Sequence, residues 1–173
     1  MPYWLQKDEA LLTDVNGDVR ELPNQASYSV AGVVRAHGQA KKDNVRFIPG
    51  CRLMLMNVVE IASLPADRAA YGRLCRLLTT GNRRAPKGQC FLWLDDVIRF
   101  GEGQILIALP TANLEQSPDF IESVCVLGER FPGAVFVGAA PRIDGLDAPR
   151  YLALSTLASA TGAPLVAIGD CLL

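Results

Sequence analysis

The sequence predicts an α/β fold in which a parallel sheet is covered by helices. Short apolar runs that are typical of buried strands alternate with segments whose apolar residues recur at helical spacing. Proline and glycine residues separate these segments and mark their ends. At 173 residues, half of them apolar, the chain is long enough for one domain with a substantial core. Both a barrel and an open sheet satisfy this pattern.

Local signals predict each element of the first half. Residues 30–42 are expected to form a helix, because apolar side chains recur on one face and Ser29 can cap its start. Strands are expected at residues 45–48, 53–55 and 58–63, and Asp67 is expected to open a helix that ends at Leu78.

The second half continues the alternation. Residues 79–89 (TTGNRRAPKGQ) are expected to be a polar loop, and its cations are Arg83, Arg84 and Lys87. Helices are expected at residues 94–100, 118–130 and 147–160, since proline favours the first helical turn and glycine the end. Strands are expected at residues 104–109, 135–137 and 165–168.

Composition limits the function classes. Seventeen Lys and Arg against 18 Asp and Glu give a net charge of −1, so any nucleic-acid-binding surface must be local. The five cysteines are widely spaced without a CxxC, which favours reduced thiols over disulfides or a zinc site. The start, MPYWLQKDEA, does not resemble a signal peptide, and no apolar run is long enough to span a membrane. We therefore expect a cytoplasmic protein.

The candidate catalytic and metal-binding residues are few. Chemistry in this fold class lies at the carboxyl ends of strands, which here carry one carboxylate, Asp170, and no histidine. Asp14 also follows a strand, but the Asn16-Gly17 pair after it favours a hairpin turn. Asp14 and Asp170 are thus weak metal candidates. The single histidine, His37, lies in the middle of a helix, so we interpret it as a packing or surface residue, and no catalytic triad is available.

Four stretches together resemble a known family. They are VAGVVRAHGQAKK, VRFIPGCRLML, DRAAYGRLCRLLTTGNRRAPKGQCFLWLDDV and GAPLVAIGD. They resemble the polymerase and histidinol phosphatase (PHP) domain of bacterial C-family DNA polymerases, and most of all its error-prone branch. The resemblance covers roughly residues 30–170.

This resemblance implies a β/α barrel related to the TIM barrel, whose metal-bearing members use His, Asp and Glu to hold metals for phosphoester hydrolysis. Most matched ligands are missing here. Val15 and Leu172 stand where histidines would, and Arg52 stands where a glutamate would, while Asp14 and Asp170 remain. The resemblance therefore implies no catalytic residue, no metal and no cofactor.

Two departures from the family shape the domain prediction. Residues 1–29 are atypical for the family, so we separate this segment from a PHP-like domain at residues 30–173. Only about five or six strands are predicted from residue 30 onward, which implies an incomplete barrel with two exposed edges. Either a homodimer or the N-terminal segment would cover the gap.

The sequence favours a non-catalytic domain related to error-prone DNA polymerase, with a structural or interaction role in DNA replication or repair. The polymerase palm is absent, so the chain by itself is not expected to polymerise DNA. Its expected partners are DNA or other replication and repair proteins, without a membrane. The alternatives are a metal-dependent phosphoesterase using Asp14 and Asp170, and a nucleic-acid-binding module using Arg83, Arg84 and Lys87.

Overall fold

The computed structural model describes residues 12–13, 19–20, 33–45, 47–57, 59–110 and 117–169. The helices are α1 (Val33–Lys42), α2 (Arg68–Arg84), α3 (Leu94–Phe100), α4 (Pro118–Arg130) and α5 (Asp147–Thr161). The strands are β1 (Leu12–Thr13), β2 (Val19–Arg20), β3 (Cys51–Met54), β4 (Glu60–Pro65), β5 (Gln104–Leu109), β6 (Val135–Ala139) and β7 (Leu165–Ala167). The α/β class is therefore as predicted.

The main sheet contains five strands in the order β3-β4-β5-β6-β7. The pairs β3-β4 and β4-β5 are antiparallel, whereas β5-β6 and β6-β7 are parallel. The prediction of a parallel sheet is thus wrong for its first half. The chain between β3 and β4 is too short for a parallel crossover, which needs a dozen residues or more, so these strands form a hairpin. The longer connection between β4 and β5 contains α2 and α3.

Helices α2 to α5 cover one face of the sheet. Alternate strand positions, including Leu53, Ile61, Leu106 and Val137, belong to the same buried cluster as side chains from these helices. Phe120 of α4 is among the largest side chains that are completely buried in this cluster. The helix-covered face is therefore the core of the domain.

Strong local signals set several helix ends. Asp67 caps α2 as predicted, because its side chain accepts a hydrogen bond from the Ala70 amide at 2.7 Å. Helix α4 begins with Pro118 directly after Ser117, and α5 ends at Gly162, which adopts the left-handed conformation at φ 70°. These boundaries were predicted within one residue.

Two predicted elements in the first half differ from the structure. Helix α2 continues to Arg84, so residues 79–84 are helical rather than part of a loop. The hydroxyl groups of Thr79 and Thr80 donate to carbonyls one turn earlier, which accommodates these residues in the helix. The strand predicted at residues 45–48 is also wrong, since the described residues there have no strand pairing and the first strand of the main sheet begins at Cys51.

The described strands do not establish the predicted barrel. Within the described residues the main sheet is not closed, because β3 and β7 lie at opposite edges. Strands β1 and β2 pair with each other, as expected for a hairpin around Asn16-Gly17. The division at residue 29, the barrel closure and the homodimer stay predictions. None of the described helices is long and apolar enough to cross a membrane.

Candidate functional site

The sheet face opposite the helices carries an ion pair between neighbouring strands. Arg52 and Glu60 occupy positions that alternate with the core residues Leu53 and Ile61, so their side chains lie on the other face. The Nε atom of Arg52 donates to Glu60 Oε2 at 2.7 Å, and Nη2 donates to the same oxygen. Only 3% of the Glu60 side chain and 11% of the Arg52 side chain are exposed. The pair is therefore a buried, charge-assisted contact.

This pair occupies a position that matters for the PHP resemblance. The resemblance described above implies a ligand glutamate at the position of Arg52, and the guanidinium of Arg52 donates instead to the carboxylate of Glu60. A divalent metal at this position would meet a fixed positive charge, so the residues present do not fit the family's metal cluster. Among the described residues there is no group of three or more potential metal ligands. The two weak metal candidates, Asp14 and Asp170, lie outside the described residues.

A second ion pair joins the end of α2 to the start of α3. Arg84 donates from Nη1 and Nη2 to the two oxygens of Asp96, at 2.5 and 2.9 Å. Asp96 is buried, and it also accepts a hydrogen bond from the Trp93 backbone amide at 3.1 Å. Burial opposes the charged form, but the bonds from Arg84 and Trp93 outweigh it and lower the pKa of Asp96. The bidentate pair therefore fixes the orientation of the Arg84 guanidinium.

The same guanidinium covers an exposed aromatic ring. The Arg84 Cζ atom lies 5.0 Å from the centroid of the Trp93 ring, within the range of a cation–π contact. Trp93 remains 44% exposed. The amide of Met56, a residue that is 51% exposed, donates at 2.9 Å to the carbonyl of Leu92, the residue before Trp93.

The three predicted nucleic-acid-binding residues have different environments. Arg84 is bound to Asp96, so much of its charge is already compensated. Arg83 is exposed in the last turn of α2, and Lys87 is exposed in the turn that follows. The structure thus brings all three exposed residues to one end of α2, and Arg84 differs from the other two by its ion pair with Asp96.

The carboxylates that follow β6 serve the local fold. Asp147 accepts a hydrogen bond from the Ile143 amide at 3.0 Å, and Arg150 donates to both Asp144 and Asp147 at 2.5 Å. The Leu146 amide and Arg150 stabilise the charged form of Asp144 and lower its pKa. Asp144 and Asp147 therefore accept hydrogen bonds from nearby backbone amides and from Arg150, and these contacts stabilise the loop before α5.

The thiols of the core are poorly suited to nucleophilic chemistry. Burial, together with the neighbouring Cys90 and Cys75, raises the pKa of Cys51 to about 12. Burial and the Asp96 charge raise the pKa of Cys90 to about 11. Both residues are reduced thiols that stay protonated at neutral pH, and the thiolate is the reactive form.

His37 has a surface position. It is exposed on α1, and its ring centroid lies 6.4 Å from that of Phe47. The interpretation of a packing or surface residue agrees with this contact.

Sequence reasoning missed two residues of these sites, Glu60 and Trp93. A charged residue inside the apolar run NVVEIASL is a signal that Glu60 needs a buried partner. The sequence offers no comparable signal for Trp93, because most tryptophans in apolar surroundings are core residues.

Comparisons with known proteins give a consistent relationship. The chain is 49% identical to an error-prone DNA polymerase of Ruegeria pomeroyi over 129 residues, which cover 74% of the chain and 11% of the polymerase. It is 38% identical to an error-prone DNA polymerase of Sinorhizobium medicae over 146 residues, which cover 83% of the chain and 13% of that polymerase. The chain is homologous to a part of error-prone DNA polymerases.

A third relative supports the same relationship. An error-prone DNA polymerase of Brucella abortus is 38% identical over 151 residues, which cover 83% of the chain. The chain spans only 11% to 14% of the length of these three polymerases. No family model matches it. The relationship thus concerns one region of much longer proteins.

Proposed function

We propose that the chain is a non-catalytic, PHP-like domain of the error-prone DNA polymerase type, with a structural or interaction role in DNA replication or repair. The observation that carries this proposal is the 49% identity to an error-prone DNA polymerase over 129 residues. Its proposed partners are DNA or other replication and repair proteins.

The Arg52–Glu60 pair supports the non-catalytic part of the proposal. A phosphoester hydrolase of the PHP type needs carboxylates and imidazoles that bind cations and hold a water molecule for attack. A guanidinium at a ligand position instead repels the cations, and it also neutralises the closest described carboxylate. The position that would hold a metal ligand under the PHP resemblance thus carries a structural ion pair.

The test measures metal binding and phosphodiester hydrolysis by the full chain. We expect that protein equilibrated with manganese and zinc retains no more metal than an Asp14→Asn/Asp170→Asn double variant. We also expect no turnover of a generic phosphodiester by either protein. The double variant is the matched control, because it removes both carboxylates of the phosphoesterase alternative and leaves Arg52 in place.

One result would replace the proposal with the phosphoesterase alternative. It is stoichiometric metal in the unsubstituted chain, together with hydrolysis that the Asp170→Asn substitution abolishes. Such a result would require a ligand set that includes Asp170.

A further inference from the structure

An exposed aromatic ring and exposed cations lie close together in the chain, between the last turn of α2 and the start of α3. We group them with Met56 as the Trp93 surface, whose residues are Met56, Arg83, Arg84, Lys87 and Trp93. We propose that the Trp93 surface binds single-stranded nucleic acid, with one unpaired base against the Trp93 ring and phosphates on Arg83 and Lys87. This role is independent of whether the Arg52–Glu60 face holds a metal.

The tryptophan ring is held in place before any ligand arrives. Arg84 is fixed by two hydrogen bonds to Asp96, and its guanidinium covers the ring at 5.0 Å. The Trp93 backbone is fixed to the same carboxylate. A base that stacks on this ring therefore orders few further groups, which reduces the entropic cost of binding. Stacking on an aromatic ring is available to every base, so it does not require a particular sequence.

The neighbouring cations fit a phosphate backbone. Arg83 and Lys87 are exposed, and within the part of the chain that the structure describes they form no ion pair. Their charges are therefore available to phosphates, whereas the charge of Arg84 is compensated by Asp96. Asp95 is also exposed, next to Trp93, and its carboxylate would repel a phosphate. In the proposed binding mode, the phosphates of a bound strand therefore lie on Arg83 and Lys87 and away from Asp95.

The chemistry favours an unpaired strand over a duplex. In a duplex the base faces are stacked inside the helix, so a fixed surface ring cannot reach one without unstacking it. A single strand offers both base faces and phosphates at close spacing. Neither the ring nor the two cations distinguish ribose from deoxyribose, so the class is single-stranded nucleic acid in general.

The experiment uses the intrinsic fluorescence of Trp93 in the full chain. The Trp4→Phe substitution leaves Trp93 as the sole tryptophan, since the chain contains two. Unlabelled oligothymidylate and oligouridylate are titrated into this protein, and a hairpin duplex is the comparison. We expect both single strands to quench Trp93 fluorescence, and the duplex to quench it much more weakly.

Substitutions separate stacking from charge. Replacing Trp93 with alanine should weaken binding of a fluorescent oligothymidylate about 5- to 150-fold, the usual effect of removing one stacked base. Removing both charges with Arg83→Gln/Lys87→Gln should reduce the slope of the log binding constant against log salt concentration by about 1.4. Each phosphate contact on a single strand contributes about 0.7 to this slope. The matched control, Lys41→Gln/Lys42→Gln, removes two exposed charges from α1 and should leave the slope unchanged.

Several results would overturn the proposal. Oligonucleotides that bind without quenching Trp93, or that do not bind at all at low salt, exclude the ring as the base contact. A duplex that quenches as strongly as the single strands excludes stacking. If Trp93→Ala is unfolded by circular dichroism, the fluorescence of the Trp4→Phe protein still decides, because that protein retains Trp93.

Discussion

Adding one methyl group at Gly81 should destabilise the domain relative to the same change elsewhere in the helix, although alanine is normally preferred inside a helix. Gly81 is buried in α2, and a Cβ atom there would lie 2.5 Å from the Cys90 sulfur and 2.6 Å from Leu92 Cδ2. Both neighbours are buried, so they have little room to move. The close approach exists because the chain turns back after α2 and packs against its last turns.

Gly72 provides a matched control in the same helix. A Cβ atom at Gly72 would have no neighbour within 4 Å, so Gly72→Ala should report helix propensity alone and stabilise the domain by about 1 kcal/mol. Gly81→Ala gains the same propensity but forces overpacking, which costs about 1–3 kcal/mol. The difference between the two variants cancels the propensity contribution and should therefore be about 1–3 kcal/mol.

Urea unfolding followed by circular dichroism measures this difference as a shift in the transition midpoint at constant m-value. In thermal melts, each kcal/mol should correspond to about 2–4 °C for a chain of this length. If both alanine variants gain the same stability, the contact of α2 with Cys90 and Leu92 is wrong. The predicted position of the Trp93 surface would then be wrong too, because it depends on the same turn.

Two further predictions concern the ion pairs. Glu60→Gln should lower the free energy of unfolding in urea by about 3–5 kcal/mol, since it leaves the buried Arg52 guanidinium without the Glu60 carboxylate. An Arg52→Met/Glu60→Leu double variant should recover most of that loss. Equal losses in both variants would contradict this prediction. Because the folded-state pKa of Asp96 is lowered, its stabilisation is present above about pH 4 and is lost as the pH falls through the folded pKa. Asp96→Asn should therefore reduce the pH dependence of the free energy of unfolding, measured in urea, over this acid range. An unchanged pH dependence would refute the assignment.

The helices with strong terminal signals could be predicted from the sequence. Ser117-Pro118 and Gly162 set the ends of α4 and α5 through backbone preferences that act within a few residues. Local preferences of this kind are visible in a sequence because they do not depend on the rest of the fold.

The direction of the strands could not be predicted in the same way. Apolar runs at β3, β4 and β5 indicate burial, but burial on both faces does not distinguish a parallel from an antiparallel neighbour. The short connection at residues 55–59 contains the relevant constraint. Its length excludes a parallel crossover only if both flanking strands are located correctly. The incorrect strand prediction at residues 45–48 made the start of β3 uncertain.

The role of Arg84 shows why the candidate site could be predicted only in part. The stretch NRRAPKGQ shows three cations in a polar segment, and sequence alone gives each of them the same chance of contacting a phosphate. Asp96 lies 12 residues after Arg84, and only the turn between α2 and α3 brings the two side chains together. That contact compensates one of the three charges, and it also holds the Arg84 guanidinium over the Trp93 ring. In the proposed binding mode, Arg84 therefore orients the Trp93 ring, and only Arg83 and Lys87 are available to phosphates.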